Sequence, residues 1–199
     1  MRTDHEIEEV AVSVPGIAFG LLGGEQAAEH AGELLALHAE VYAEAPYRRD
    51  EDGEQLARRF AVQRRQPGFV LAEARHGDYL VGYASGMPLR PSTSWWRDLT
   101  TPLPEQLTAE HPGRTFAVAD LLVRASWRRQ GIGAALHDLI LTGRSEERAT
   151  LTVLPAAIPA QRAFRAWGWH RVARTRDPSP GSPVYDVLVT ALPAGAGRS

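Results

Sequence analysis

Phe116-Ala-Val-Ala-Asp-Leu-Leu-Val-Arg-Ala-Ser-Trp-Arg-Arg-Gln-Gly-Ile-Gly-Ala-Ala-Leu136 decides the fold, because its hydrophobic period changes part-way along. Val118, Leu121, Leu122 and Val123 form a β-prone apolar run, which reads as a buried strand. After Gly131-Ile132-Gly133 the apolar residues fall at Ile132, Leu136, Leu139 and Ile140, the spacing of one helix face. The glycines therefore sit where a strand turns into a helix. Glycine has no Cβ, so the chain there can turn tightly and a ligand can come close to the backbone. A helix start also presents unpaired N–H groups and the positive end of its dipole, and Arg128 and Arg129 add positive charge. Such a junction suits a phosphate.

Two familiar phosphate loops do not fit. A Walker loop requires Gly-Lys-Ser/Thr, and nothing of that kind follows Gly133. A dinucleotide fingerprint requires a third Gly or Ala where Leu136 stands, although Ala134 and Ala135 precede it. Arg128, Gly131 and Gly133, preceded by the strand Leu121-Leu122-Val123, instead resemble the coenzyme A loop of the GNAT N-acetyltransferases, Gln/Arg-x-x-Gly-x-Gly/Ala after Leu-x-Val. That resemblance implies cofactor contacts from Leu121, Leu122, Val123, Arg128, Arg129, Gln130, Gly131, Ile132, Gly133 and Ala134. It also implies a sheet that splays beside Val123 with the pantetheine arm in the gap.

Composition sets the limits. A chain of 199 residues, 44% of them hydrophobic, is expected to form one domain over 1–199 with a sizeable core. A net charge of -2, from 22 basic and 24 acidic residues, argues against a nucleic-acid or membrane partner. With no cysteine, disulfides and thiolate chemistry are excluded. Seven histidines, among them His137 on the junction helix, lack ligand spacing, so no metal is expected; His137 reads as a partly exposed helix residue. The start at Met1-Arg2-Thr3-Asp4-His5-Glu6 leads into no apolar signal core, and no apolar run approaches the roughly 20 residues of a membrane span. A cytoplasmic protein is the simplest expectation.

Around the junction, a first strand with a turn is expected within 7–19, helices over Glu25–Glu44 and from Glu54 towards Pro67, and a hairpin from 69–74 and 79–87. The acidic cluster Asp50, Glu51, Asp52 and Glu54 either stabilises a helix start or attracts a cationic amine. The proline-rich stretch 88–114 carries Trp95 and Trp96, and is either a wall of the acceptor site or a loop pinned to the core by its tryptophans. Beyond the junction helix come a strand at 149–154, a helix opened by Pro159 and closed by Gly168, and strands at 169–176 and 184–192, with 193–199 as a frayed tail. The expected fold is α/β and GNAT-like, a mixed, mostly antiparallel sheet of about six or seven strands flanked by about four helices. Its coenzyme core would run over 116–171.

The family motif Asn-x-x-Ala-x-x-x-Tyr-x-x-x-Gly-Phe is matched by Ala160, Gly168 and Trp169, whereas Ala157 stands for Asn and Phe164 for Tyr. The resemblance still places Phe164 against the cofactor. Thr152 stands where some members carry a catalytic Glu. Asp120 is the carboxylate on the central strand, and it becomes the candidate base that takes the proton of an incoming ammonium. Backbone N–H groups near Leu122 and Val123 could bind the developing oxyanion.

The resemblance thus implies acetyl transfer from acetyl-CoA, as co-substrate, to a primary amine by direct attack in a ternary complex. The acceptor is a small-molecule or peptide amine, and a homodimer is left open. Two rivals stand beside it, a non-catalytic acyl-CoA binding or regulatory module and a nucleotide-binding protein of different fold.

Overall fold

The computed structural model describes residues 14–48, 53–176 and 181–193. Seven strands form one sheet: β1 (Ala18–Leu22), β2 (Val70–His76), β3 (Tyr79–Pro88), β4 (Thr115–Val123), β5 (Arg148–Val153), β6 (His170–Arg176) and β7 (Val184–Ala191). They lie in the order β1-β2-β3-β4-β5-β7-β6, antiparallel throughout except for the β4–β5 pair. Six helices accompany them: α1 (Gly24–Glu29), α2 (Ala31–Tyr42), α3 (Gly53–Gln63), α4 (Glu105–Thr108), α5 (Ile132–Leu141) and α6 (Ile158–Ala166).

The expected α/β class and mostly antiparallel sheet are both present. Two of the helices are additions to the expected set. One arises because Glu25–Glu44 divides at His30 into α1 and α2, freeing α1 to pack on β1 and β2. The other, α4, is a single turn inside the long loop. Of the expected first strand, the described part forms Ala18–Leu22 after a turn at Gly16 (φ 75°); residues 7–13 lie outside the described residues. So do Asp50, Glu51 and Asp52, the turn at 177–180 and the tail from 194 onward.

Strand side chains alternate between sheet faces, and the core divides accordingly. Ala72, Ala74, Val81 and Ala84 pack with Ile132, Leu136 and Ile140 of α5 and Phe164 of α6. Their neighbours Leu71, Leu80, Tyr83 and Leu122 pack on the opposite face with Leu34, Leu37 and Val41 of α2 and Phe60 of α3. The small residues on the α5 face let that helix lie close. The rest of the α2 face is covered by the long loop, whose Leu89 and Trp96 pack with Ala117, Ala173, Val187 and Val189.

The β4–β5 ladder is short. It joins Thr115, Phe116 and Ala117 to Arg148, Ala149 and Thr150 and then ends, although both strands continue. On its other side β4 carries a bulge: Ser85 faces Asp120 and Gly86 faces Val118, leaving Ala119 as the extra residue. Gly86 permits this close fit, since a Cβ there would stand 2.5 Å from Phe116 Cζ and 2.6 Å from the Ala117 carbonyl oxygen.

The long loop is anchored by one buried carboxylate. Glu110, whose side chain is fully buried, accepts hydrogen bonds at Oε1 from Trp96 Nε1, Thr115 Oγ1 and Arg148 Nη2, each at 2.9 Å. Arg148 also lies over the Trp96 ring, 5.2 Å from its centroid.

Two stability effects are expected. Gly86→Ala should destabilise the fold by about 1–3 kcal/mol through overpacking at the bulge, read from urea unfolding, while Gly32→Ala, with no atom within 4 Å of the added Cβ, should not. Trp96→Ala should cost about 3–5 kcal/mol, and the half-buried Trp95→Ala clearly less.

Candidate functional site

Where β4 and β5 part, a cleft of about 650 Å³ opens through the sheet. Val118 to Val123 form one wall and Leu151 to Leu154 the other. Gly131, Gly133 and Ala134 of the junction close one end, and Tyr42, Arg59 and Trp95 stand at the other. The cleft therefore runs from the α5 side of the sheet to the α2–α3 side.

The junction is built as its residues dictate. After β4 a 3-10 turn (Ala125–Trp127) leads into Arg129 and Gly131, both with left-handed backbone (φ 65° and 85°). Glycine takes that conformation without strain, and Arg129 is the described non-glycine residue that shares it. The first backbone hydrogen bond of α5 is from Ala135 N–H to the Gly131 oxygen. Among the described residues the N–H groups of Ile132, Gly133 and Ala134 thus have no backbone acceptor. They are the open donors that a helix start presents.

The arginines divide their work. Arg128 donates from Nε to the Val123 oxygen (2.9 Å) and from Nη1 to Glu44 Oε2 (3.0 Å), tying the end of β4 to the segment that follows α2. Its Nη2 is buried without a hydrogen-bond partner among the described residues. Arg129 is exposed and lines the cleft. Gln130 turns to the Ser126 oxygen (3.1 Å), and the Ile132 side chain is buried in the core, so neither side chain lines the cleft.

Leu121, Leu122 and Val123 do line it, but their peptide groups differ. Arg124 N–H donates to the Val81 oxygen across to β3 (2.9 Å). By the two-residue alternation of a strand, Leu122 also turns to β3, whereas Leu121 and Val123 present their N–H groups to the open side. The unpaired strand N–H groups beside the cleft are thus those of Leu121 and Val123 rather than Leu122 and Val123.

Phe164 stands over the cleft with its ring edge-to-face against Trp167 (5.6 Å between centroids) and Trp169 (5.8 Å). His137 backs this cluster. It is buried rather than partly exposed, accepting from Trp169 Nε1 at Nε2 (2.9 Å) and facing Asp138 Oδ1 from Nδ1 (2.9 Å). An indole can only donate, so His137 Nε2 carries no proton while that bond stands.

Asp120 lines the cleft from the opposite face. Ser85 Oγ donates to its Oδ2 (3.1 Å), and His38 Nε2 of α2 lies 3.7 Å from its Oδ1. Arg59 of α3 donates from Nη2 to the same His38 nitrogen (3.1 Å), and His38 stacks on Tyr42 at 4.2 Å. Sequence reasoning alone does not single out His38, Arg59, Ser85, Tyr42 or Tyr47. A signal exists for His38, which follows Leu34 by four residues and so shares the buried face of α2. Burial raises the pKa of the Tyr47 phenol, against the opposing charge of Arg128, so it is protonated at neutral pH.

The two tryptophans of the long loop differ in place. Trp96 pins it to the core, and Trp95 lines the cleft with its Nε1 buried and unbonded among the described residues. Among those residues no group of three His, Asp or Glu side chains is gathered for a metal, and no helix is long and apolar enough to cross a membrane.

No curated protein matches the sequence. Solved structures share the fold. An acetyltransferase from Thermus thermophilus superposes with a TM-score of 0.61 at 18% identity, covering 90% of this chain and 99% of its own. The ribosomal-protein-S18-alanine N-acetyltransferase of Escherichia coli gives 0.59 at 14% identity, covering 92% and 97%. Arabidopsis thaliana NAA60 in complex with acetyl-CoA gives 0.60 at 16% identity, covering 88% and 98%. The model of the acetyltransferase (GNAT) family matches residues 33–169, from within α2 to the start of β6. With that match over most of its length, the chain belongs to the GNAT family of acetyltransferases.

Proposed function

We propose that this protein transfers the acetyl group of acetyl-CoA to a primary amine by direct attack in a ternary complex. The observation that carries the reading is the parting of β4 from β5 beside a helix-N-terminal cradle, with a carboxylate on the far side of the same cleft.

Each part has a role. The N–H groups of Ile132, Gly133 and Ala134, with Arg129 beside them, hold the pyrophosphate. The pantetheine arm lies along Leu121 and Val123, with Phe164 and Ala134 against it, and Arg128 keeps the end of β4 in position. The N–H groups of Leu121 and Val123 face the thioester oxygen as it gains charge. Asp120 takes a proton from the arriving ammonium, because only the neutral amine can attack. Holding amine and thioester together supplies much of the rate, on the order of 7–11 kcal/mol for ideal alignment.

Thermal midpoints with acetyl-CoA, CoA and ATP test the cofactor, since a ligand at ~100 times its dissociation constant stabilises by about 2.7 kcal/mol. The expected result is a shift with both CoA compounds and none with ATP. Gly133→Trp should abolish it by filling the cleft, without the backbone strain that any side chain meets at Gly131. Absence of a CoA shift in the native protein would overturn the reading.

Thiol release from acetyl-CoA then tests transfer, with small primary amines and a peptide beginning with alanine as acceptors. The peptide is included because one structural neighbour is named for the alanine of a ribosomal protein. A CoA shift with no acceleration by any amine would favour the non-catalytic module, to which the missing family Asn, Tyr and Glu side chains lend weight.

A further inference from the structure

Behind Asp120 lies an imidazole that the transfer scheme above does not use. His38 is 2% exposed and lines no part of the cleft, while Asp120, in front of it, does. Its Nε2 stands between two groups with opposite demands. Arg59 Nη2, at 3.1 Å, can only donate, so this contact requires a bare Nε2 and a neutral ring with its proton on Nδ1. Asp120 Oδ1, at 3.7 Å, can only accept while ionised, so a bond to it requires a proton on the same Nε2. One nitrogen cannot serve both partners at once.

We propose that His38 is a positioning residue that stores the proton taken from the amine, exchanging its bond from Arg59 for one to Asp120 as it does so. The inference rests on the acetyl-transfer reading and extends it by one residue. The 3.7 Å separation is short of a hydrogen bond, and a closure of under about 1 Å brings it into the 2.7–3.2 Å range.

Atoms and charge balance across the transfer. An ammonium gives one proton to Asp120, which passes it to His38 Nε2 and becomes a carboxylate again beside the new imidazolium. The neutral amine attacks the thioester carbonyl, a C–N bond forms and the C–S bond breaks. The second proton of the nitrogen goes to the departing thiolate. Ammonium, acetyl-CoA and neutral His38 thus become amide, CoA thiol and His38 imidazolium, with one positive charge on each side.

The surroundings suit both charge states. Arg59 opposes the imidazolium and Asp120 favours it. Tyr42 stacks on the ring from its own helix, Ser85 of β3 holds Asp120, and the Tyr83 phenol of β3 belongs to the same packed layer. The stack on Tyr42 and the burial of His38 resist a turn of the ring that would bring its other nitrogen to Asp120.

Side-chain nitrogen NMR of the free protein, titrated from pH 5 to 9, tests the pair without cofactor or acceptor. The neutral ring should carry its proton on Nδ1. Asp120→Asn, which keeps the shape, should lower the His38 pKa by about 1 unit or more, and Arg59→Gln should raise it. A neutral ring protonated on Nε2, or a titration unmoved by Asp120→Asn, would overturn the proposal, and the wild-type tautomer decides the first point even if a variant fails to fold. This readout is independent of the CoA shift, so the two proposals can fail separately.

Discussion

The structure depends on an interrupted ladder. Two parallel strands that remain paired would bury their backbone groups against each other, and β4 and β5 do so only over Thr115–Ala117 and Arg148–Thr150. Beyond that point each strand leaves an open edge inside the sheet, and a buried N–H or C=O without a partner costs roughly 1–3 kcal/mol. The fold meets part of this demand itself. Arg128 reaches back to the Val123 oxygen, and the Ala119 bulge lets β4 bend away while its other edge stays paired with β3. What it leaves open is a row of donors at Leu121 and Val123.

Something must keep the gap from closing, since apolar walls would otherwise collapse. On the α5 side the wedge is aromatic: Phe164, Trp167 and Trp169 interlock edge-to-face, with His137 fixed behind them by the Trp169 indole. On the other side Trp95 borders the opening from a loop that the buried Glu110 fastens to β4 and β5. Neither wedge relies on a flexible side chain. Rigid rings in fixed orientations preserve a slot at low entropic cost, which is why this chain concentrates its tryptophans here.

What could be read from the sequence was local. The change of period between Val123 and Ile132 marks the strand, the glycine turn and the helix within one short stretch, and the structure has all three in place. The Asp120 cluster was out of reach because its members lie on β3, β4, α2 and α3, and only tertiary packing unites them. Glu25–Glu44 is rich in Ala, Glu and Leu, and Gly32 is a weak local mark beside the break at His30 that lets α1 settle on the sheet. The burial of His137 escapes a local reading for a related reason. Its place beside the apolar stripe is visible, but the indole that buries it comes from the turn before β6.

The two faces of the sheet divide the work in the proposed scheme. Along β4, Leu121 and Val123 face α5 and the glycine turn at its start, while Asp120 and Leu122 face α2 and α3. In the proposed scheme cofactor and acceptor therefore enter from opposite faces and meet at the strand gap. A phenol at position 164 or a carboxylate at position 152 would act from the α6 or β5 wall, where this chain has Phe164 and Thr152. Titratable groups are instead gathered on the α2–α3 side, at Asp120, His38, Tyr42 and Tyr47. In the proposed scheme that face is where an ammonium arrives and sheds its charge. A thioester is already activated towards attack and the open backbone donors need no side chain, so proton removal is the demand left for specific residues to meet.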